Sequence, residues 1–221
     1  MNNICYIIGA CRTEAPIQIN KNDGDMVICA DGGYNLIENK SQIDILLGDF
    51  DSIQNLPKCS NIIKYPIEKD DTDLFIAYKT AQNHGYTKYV IYGGIGGRID
   101  HTFANMQMLV SMAKRRHQAF LIGDGVIITA IHNSSIVLSA RKEGIISVFS
   151  MGECADGVNI EGLKYSVKDG KLTNDFPLGV SNEFIGNKAK ISVQQGTLMI
   201  VWYENNIDLD ELFNTSMANV C

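Results

Sequence analysis

The sequence predicts an α/β fold joined to a β fold. An open, mostly parallel α/β sheet of Rossmann-like type should occupy residues 1–123, and a β-sandwich residues 124–221. Three observations lead there. Up to residue 123, short and uniformly apolar runs alternate with helical patterns. After it, glycines punctuate short β-branched or alternating runs. No segment in that second stretch carries three turns of helical periodicity.

Six runs read as strands in the first part: Ile4–Ile8, Met26–Ala30, Ile43–Leu47, Asn61–Tyr65, Lys88–Tyr92 and Ala119–Ile122. Apolar residues on both faces mark parallel strands covered by helices. One helix should begin at Asp71-Thr72, bury Leu74, Ala77, Tyr78 and Ala81 on one face, and stop at Gly85. A second should run from Asp100 to Arg116, with Phe103, Met106, Val110 and Ala113 as its apolar stripe and cations in its last turn. In the second part, strands are expected at Val126–Ile131, Ser135–Ala140, Ile145–Phe149, Ala189–Val193 and Leu198–Tyr203, with turns at pairs such as Asp124-Gly125, Glu143-Gly144 and Asp169-Gly170. Trp202 and Tyr203 read as core residues of the last strand. The tail after Asn205 reads as a short helix or a frayed end.

The chain has 221 residues, 19 Lys and Arg against 25 Asp and Glu, and a formal net charge of −6. That balance argues against a nucleic-acid binder working by phosphate neutralisation. Hydrophobic residues at 45% and charged residues at 20% exclude intrinsic disorder. The first residues lack a basic n-region, so no signal peptide is expected, and no run reaches the roughly 20 apolar residues of a membrane span. Six cysteines and four histidines are too scattered for a disulfide or zinc framework, so a cytoplasmic protein is expected.

Four segments carry possible chemistry, each placed after an apolar strand or at a helix start. Asp49 and Asp51 flank Phe50 at the end of a probable parallel strand, the edge where α/β sheets bind ligands. Two carboxylates held close call for a cation, and Mg²⁺ suits oxygen donors that share it with phosphates. The same spacing also fits turns and a helix cap. Lys69-Asp70-Asp71-Thr72-Asp73 enters a helix. It fits plain capping, or a set in which Asp70 or Asp73 joins the metal while Lys69 or Thr72 meets a phosphate. Gly93-Gly94-Ile95-Gly96-Gly97-Arg98-Ile99-Asp100-His101 opens the second helix. Its glycines let backbone approach an anion, the helix start offers free N–H groups, and Arg98 can grip a phosphate. It lacks the GK[ST] of a Walker A loop. His101 reads as a packing or capping residue. Asp31, in Ala30-Asp31-Gly32-Gly33, fits a tight turn or a ligand contact equally. Between Asp49 and Asp73 lie six acids and three lysines, so this window alone carries half of the net charge. Together the segments favour Mg²⁺-dependent phosphoryl-group chemistry, achieved by positioning and charge neutralisation.

In this order, ADGG (30–33), GDFDS (48–52), KDDTD (69–73) and GGIGGRIDH (93–101) with Asn105 downstream resemble the thiamine pyrophosphokinase (thiamine diphosphokinase) family. GLKY (162–165) and SNEF (181–184) are similar to it as well. The resemblance implies an N-terminal ATP- and Mg²⁺-binding domain, a C-terminal thiamine-binding and dimerisation domain, and a homodimer with its sites at the subunit interface. The implied reaction moves the diphosphoryl group of ATP to the thiamine hydroxyl, leaving AMP. On this resemblance Asp49, Asp51 and Asp73 would bind Mg²⁺, with Asp31 nearby. Gly94, Gly96, Gly97 and Arg98 would face the ATP phosphates, and Ser181 and Asn182 would hydrogen-bond the aminopyrimidine. Asp100 would lie near the reacting hydroxyl, and we expect it to act as the base. The alternatives are a diphosphokinase for another hydroxymethyl heterocycle, such as a pterin, and a non-catalytic nucleotide sensor. The joint presence of Asp49, Asp51, Asp73 and Arg98 argues against the sensor.

Overall fold

The computed structural model describes residues 3–48, 61–64, 71–214 and 218–219. Contacts within the chain gather into two compact units. The first comprises Met1–Met108 and Ala119–Asp124, the second Leu109–Gln118 and Gly125–Cys221.

The first unit is built on strands β1 (Ile4–Ile8), β2 (Met26–Ala30), β3 (Ile45–Gly48), β4 (Ile62–Lys64), β5 (Lys88–Tyr92) and β6 (Gln118–Gly123), in the sheet order β6-β5-β1-β2-β3-β4. The pairs β1–β2, β1–β5, β2–β3 and β3–β4 are parallel. The chain starts in the middle, walks outward to β4, then returns to the other side of β1. Strand order therefore reverses between β1 and β5, and at such a point crossovers diverge and leave a crevice at the strands' C-terminal ends. The buried runs are those expected: every residue of β1 and β3 is buried, whereas β4 at the sheet edge is largely exposed. Bounds move at three strands, and β6 gains a residue at each end. The third strand starts at Ile45, because Lys40–Gln42 form a 3-10 turn that ends at Ile43. The fourth is shorter than expected, and Tyr65 lies outside the described residues.

Helix α1 (Asp73–Asn83) starts where expected. Thr72 is its N-cap, with Oγ1 accepting from Phe75 N at 3.3 Å, and it buries Leu74, Ile76, Ala77, Tyr78 and Ala81 against β1, β2 and β3. Gly85 ends it in the left-handed region at φ +86°. Helix α2 (Ile99–Lys114) is also present, but its face is turned by one residue. Thr102, Asn105, Met108, Leu109 and Met112 are buried, and of the expected stripe only Ala113 joins them, while Phe103 is 56% exposed and Met106 and Val110 are half-buried. Two polar side chains point inward because they bond the preceding loop, as described below.

At the N-terminal end of the sheet, acids serve structure. The buried Asp25 carboxylate accepts from Ile4 N at 2.8 Å and Asn22 N at 3.0 Å. Asp44 accepts from Val27 N at 2.7 Å and pairs with Lys21 at 2.6 Å.

The second unit contains β7 (Val126–His132), β9 (Ile145–Ser150), β12 (Gly179–Glu183) and β14 (Thr197–Tyr203), antiparallel in the order β12-β9-β14-β7. A five-stranded antiparallel sheet joins β11 (Val167–Thr173), β10 (Cys154–Glu161), β13 (Ala189–Ser192), β8 (Ser134–Leu138) and β15 (Ala218–Asn219) in that order. Trp202 is fully buried and Tyr203 is 56% exposed, so only the first is a core residue. The tail forms a short helix, α3 (Leu209–Asn214), held where Arg141 reaches Glu204 at 2.6 Å and Glu211 at 3.3 Å. Strands β10, β11 and β12 had no counterpart in the sequence pattern. β11 buries one residue of seven, and β10 slips register against it twice, so neither shows clean alternation. Asp169-Gly170 is consequently not a turn but an irregularity inside β11, with Asp169 at φ +48° and its N–H on Asn159 Oδ1 at 2.9 Å. Cys5, Cys11 and Cys154 are free thiols, and among the described residues no helix is long and apolar enough to cross a membrane.

Removing the Asp25 carboxylate would orphan two backbone N–H groups at the root of β1. Asp25→Ala is expected to lower stability by about 2–4 kcal/mol in equilibrium urea unfolding. A variant as stable as the parent would show that water replaces both bonds.

Candidate functional site at the reversal of strand order

A cavity of about 370 Å³ lies within the first unit at the C-terminal ends of β1, β2 and β5 and the start of α1. Its walls come from Gly9–Cys11 after β1, Ala30 and Asp31 after β2, Thr72–Leu74, Gly93 and Gly94 after β5, and Arg98, His101 and Asn105. It occupies the crevice that the reversal between β1 and β5 creates.

Backbone here comes closer than side chains permit. A Cβ at Gly9 would stand 2.5 Å from the Gly93 carbonyl oxygen, and one at Gly93 would overlap the Gly9 carbonyl. The chain after β1 is stitched to the chain after β5: Gly9 N donates to Tyr92 O at 2.8 Å and Cys11 N to Gly93 O at 2.9 Å. The glycine-rich loop that follows is held from two sides. From α2, Asn105 Nδ2 donates to Gly94 O at 2.8 Å, and Thr102 Oγ1 accepts from Gly96 N at 3.2 Å. From β1, Cys11 Sγ donates to Gly96 O at 2.8 Å. Burial pushes the Cys11 thiol up, so it keeps the proton that this bond needs. Gly96 and Gly97 stand at φ +97° and +61°, where side chains are disfavoured. The loop leads straight into α2, whose first N–H groups have no helical partner and whose positive dipole end favours an anion.

Charges of both signs meet around this backbone. Asp31, at φ +46°, begins a 3-10 turn, and its carboxylate stands so close to Gly48 at the end of β3 that a Cβ there would overlap it. Asp73 lies in the first turn of α1 beside the cap Thr72. Arg98 holds Asp100 in a two-point pair, Nε to Oδ1 at 3.2 Å and a second nitrogen to Oδ2, with both side chains more than half exposed. That bond, with help from His101 N–H, lowers the Asp100 carboxyl below its ordinary range, and it raises Arg98 further.

The structure thus brings Asp31, Thr72, Asp73, Gly94 and Arg98 to one cavity, with Gly96, Gly97 and Asp100 on the adjoining loop and helix start. Asp49, Asp51 and Lys69 lie outside the described residues. Ser181 and Asn182 belong to β12 in the second unit. Ser181 is exposed at φ +58° with its N–H on Ser147 Oγ at 3.1 Å. Asn182 is buried, and its amide is spent on Tyr165, accepting from N at 3.0 Å and donating to O at 2.6 Å. His101 departs from expectation: its side chain is exposed and lines the cavity instead of packing. Gly9, Ala10, Cys11 and Thr102 were not foreseen. The apolar run Ile4–Ile8 ending on Gly9 repeats the strand-then-glycine signal that singled out Asp31, and could have flagged the first two. Cys11 and Thr102 carry no such signal.

Comparison with known proteins agrees with this architecture. Residues 18–121 match the model of the thiamin pyrophosphokinase catalytic domain, and residues 133–198 that of the thiamin pyrophosphokinase vitamin B1 binding domain. A thiamine pyrophosphokinase of Bacillus subtilis is 28% identical over 161 residues, 70% of this chain and 75% of that protein. Thiamin pyrophosphokinase 1 of Caenorhabditis elegans is 23% identical over 196 residues, 80% of this chain and 79% of its own length. Among solved structures, the Bacillus subtilis thiamine pyrophosphokinase superposes with a TM-score of 0.80 at 22% identity, covering 93% of this chain and all of that one. The Candida albicans enzyme superposes at 0.74 with 18% identity, over 92% and 90%. With both domain models met in order along one chain, the protein belongs to the thiamine pyrophosphokinase family.

Proposed function

We infer that this protein is a thiamine diphosphokinase, taking ATP and thiamine to AMP and thiamine diphosphate. The observation that carries the reading is the succession of catalytic and vitamin B1 binding domains in one chain. The glycine-lined backbone crevice at the strand reversal, a cavity of about 370 Å³, supports it. In the finer reading, a Rossmann-like domain over residues 1–123 binds ATP and Mg²⁺. A β-sandwich over residues 124–221 binds thiamine and pairs two subunits into a cytoplasmic homodimer.

The donor set fits Mg²⁺, since Asp31 and Asp73 both line the cavity and offer hard carboxylate oxygens. Asp73 would hold the ion with Asp49 and Asp51. When bound, Mg²⁺ supplies charge neutralisation and orientation of the ATP phosphates. The remaining roles fall to side chains and backbone of the chain. Gly94, Gly96 and Gly97 present the loop backbone to the phosphates, with Lys69 and Thr72 at the entry to α1. Arg98 exchanges its Asp100 partner for phosphate oxygens. The thiamine hydroxyl oxygen forms its bond to the β-phosphorus while the bond from that phosphorus to the α-bridging oxygen breaks, and AMP departs with the bridging oxygen. Asp100 accepts the hydroxyl proton. A carboxylate of lowered basicity suffices, because the loose transition state of such transfers releases that proton late. Ser181 would meet the aminopyrimidine. Asn182 acts there by setting the backbone of Tyr165, which its amide already holds.

Incubation with ATP, Mg²⁺ and thiamine should release AMP and thiamine diphosphate together. Formation of ADP, or turnover with a hydroxymethylpterin in place of thiamine, would sink the assignment.

Asp51→Asn is expected to cut turnover by roughly a hundredfold or more, with the folded state intact by circular dichroism. Unchanged turnover would remove Asp51 from the metal set.

The pH profile tests Asp100. A base must be ionised, so activity is present above its pKa and falls as pH drops through it. Pairing with Arg98 lowers that pKa, so the acidic limb of kcat/KM should lie below the usual carboxylate range. In Arg98→Gln the limb should move up, whatever the loss of rate. A limb that stays in place, or near-normal turnover in Asp100→Asn, would show that Asp100 takes no proton.

A further inference from the structure

A second cavity, of about 410 Å³, lies inside the second unit where the end of α2 faces the turn between β7 and β8. Among the described residues it shares none with the first cavity. Among them too, Lys114, Arg116, His117, His132, Asn133 and Ser134 supply its polar walls, and no acid lines it. In a chain of net charge −6 such a cluster does not follow from a surplus of bases.

Complementing the C-terminal dipole of α2 does not explain it, because another residue does that work. Arg115 reaches back to Ser111, bonding its carbonyl at 3.2 Å and its hydroxyl at 2.6 Å. Lys114 and Arg116 make no side-chain hydrogen bond or ion pair among the described residues. The helix closes with His117 N on Met112 O at 3.0 Å and Arg116 N on Ala113 O at 2.9 Å. In this closure the position at φ +61° usually belongs to glycine, yet here it carries Arg116.

The neighbouring polar groups are also spent on one side. His132 Nδ1 is engaged by Thr197 Oγ1 at 2.8 Å, which fixes the ring and leaves Nε2. The Asn133 carboxamide oxygen accepts from Gly196 N at 2.8 Å, which leaves its NH₂. What faces a ligand is therefore an ammonium, a guanidinium, an amide NH₂, a hydroxyl and His132 Nε2, beside the His117 ring. The ammonium, the guanidinium and the NH₂ only donate. Such a wall fits a ligand that offers acceptors alone and bears negative charge, and a guanidinium matches paired phosphate oxygens.

We propose that this cavity is an anion site distinct from the phosphate cradle of the first unit, binding the phosphate or diphosphate group of a small molecule without a metal. The charge comes from Lys114 and Arg116, and His132 and Asn133 set the orientation.

Calorimetric titration of the whole protein, in the presence of a chelator, tests it with inorganic diphosphate in one arm and inorganic phosphate in the other. Saturable binding of either probe is expected in the parent and in Arg98→Gln. Binding should weaken by about tenfold or more in Lys114→Gln/Arg116→Gln, since charge-assisted contacts carry it. Arg116→Lys, which keeps the charge, should bind between these limits. Circular dichroism and diphosphoryl transfer of the double variant should match the parent, because neither side chain has a structural partner. Diphosphate binding alone would assign the site to a diphosphate ester, and binding of both to a terminal phosphate. The proposal is overturned if neither probe saturates, if the double variant binds like the parent, or if Arg98→Gln abolishes binding that the double variant retains.

Discussion

The contact between two glycine backbones, Gly9 after β1 and Gly93 after β5, sets the position of everything else at the candidate site. Strand order reverses between these two strands, so their C-terminal ends must separate to let the chain depart in opposite directions. Yet the backbones remain bonded for two residues past the strands, through Gly9 N to Tyr92 O and Cys11 N to Gly93 O. Only chain without side chains can do both. The result is a floor of bare backbone under a crevice, and the loop 93–98 is delivered to it at a defined height. Left-handed residues at 93, 96 and 97 would cost about 1–2 kcal/mol each with a side chain. Glycine removes that cost, and the bonds from Cys11, Thr102 and Asn105 then select one shape from the many that glycine allows.

The acids of this chain divide by the end of the sheet on which they stand. At the N-terminal ends of the strands, Asp25 and Asp44 are consumed by backbone N–H groups and Lys21, and they tie β1 and β2 to what precedes and follows them. At the C-terminal ends, Asp31 and Asp73 line a cavity, one in a left-handed conformation and the other beside a helix cap. Composition cannot separate these roles, because both groups count equally in the net charge. Position along a parallel strand separates them, since one end meets the returning chain and the other meets the crevice.

The same distinction explains what could be read from residues alone. Strands β1, β2 and β5 were legible to the residue because burial on both faces leaves their central positions apolar. Helix α1 was legible because its cap, apolar face and terminating glycine agree. The face of α2 was not. The site needs Thr102 and Asn105 turned inward, and periodicity assigns the inward stripe to apolar residues instead. β10 to β12 escaped for a related reason, as the bulged β10 and the sparsely buried β11 and β12 leave no period of two. Of the site, Asp31, Thr72, Asp73, Gly94 and Arg98 announced themselves through motif and strand-end position, and one cavity gathers them. Cys11 did not. Its contribution is a single sulfur bond to a carbonyl 85 residues away, and that depends on the parallel pairing of β1 with β5.

The loop therefore combines a fixed part and a movable part. Its backbone is pinned at Gly93, Gly94 and Gly96 by partners from β1 and α2, so the cradle needs no reorganisation to meet an anion. Its charge is less firmly held, because Arg98 and Asp100 are mostly exposed and, among the described residues, the Arg98 side chain holds only Asp100. An exposed pair of this kind is worth little, so exchanging the carboxylate for phosphate oxygens costs little. Until that exchange the pair keeps the rim of an acidic cavity electrically quiet. In the proposed transfer, that exchange would turn Arg98 to the phosphates and release Asp100 at the start of α2. Shape is thus settled in advance by buried hydrogen bonds, and charge is left to side chains that can change partners.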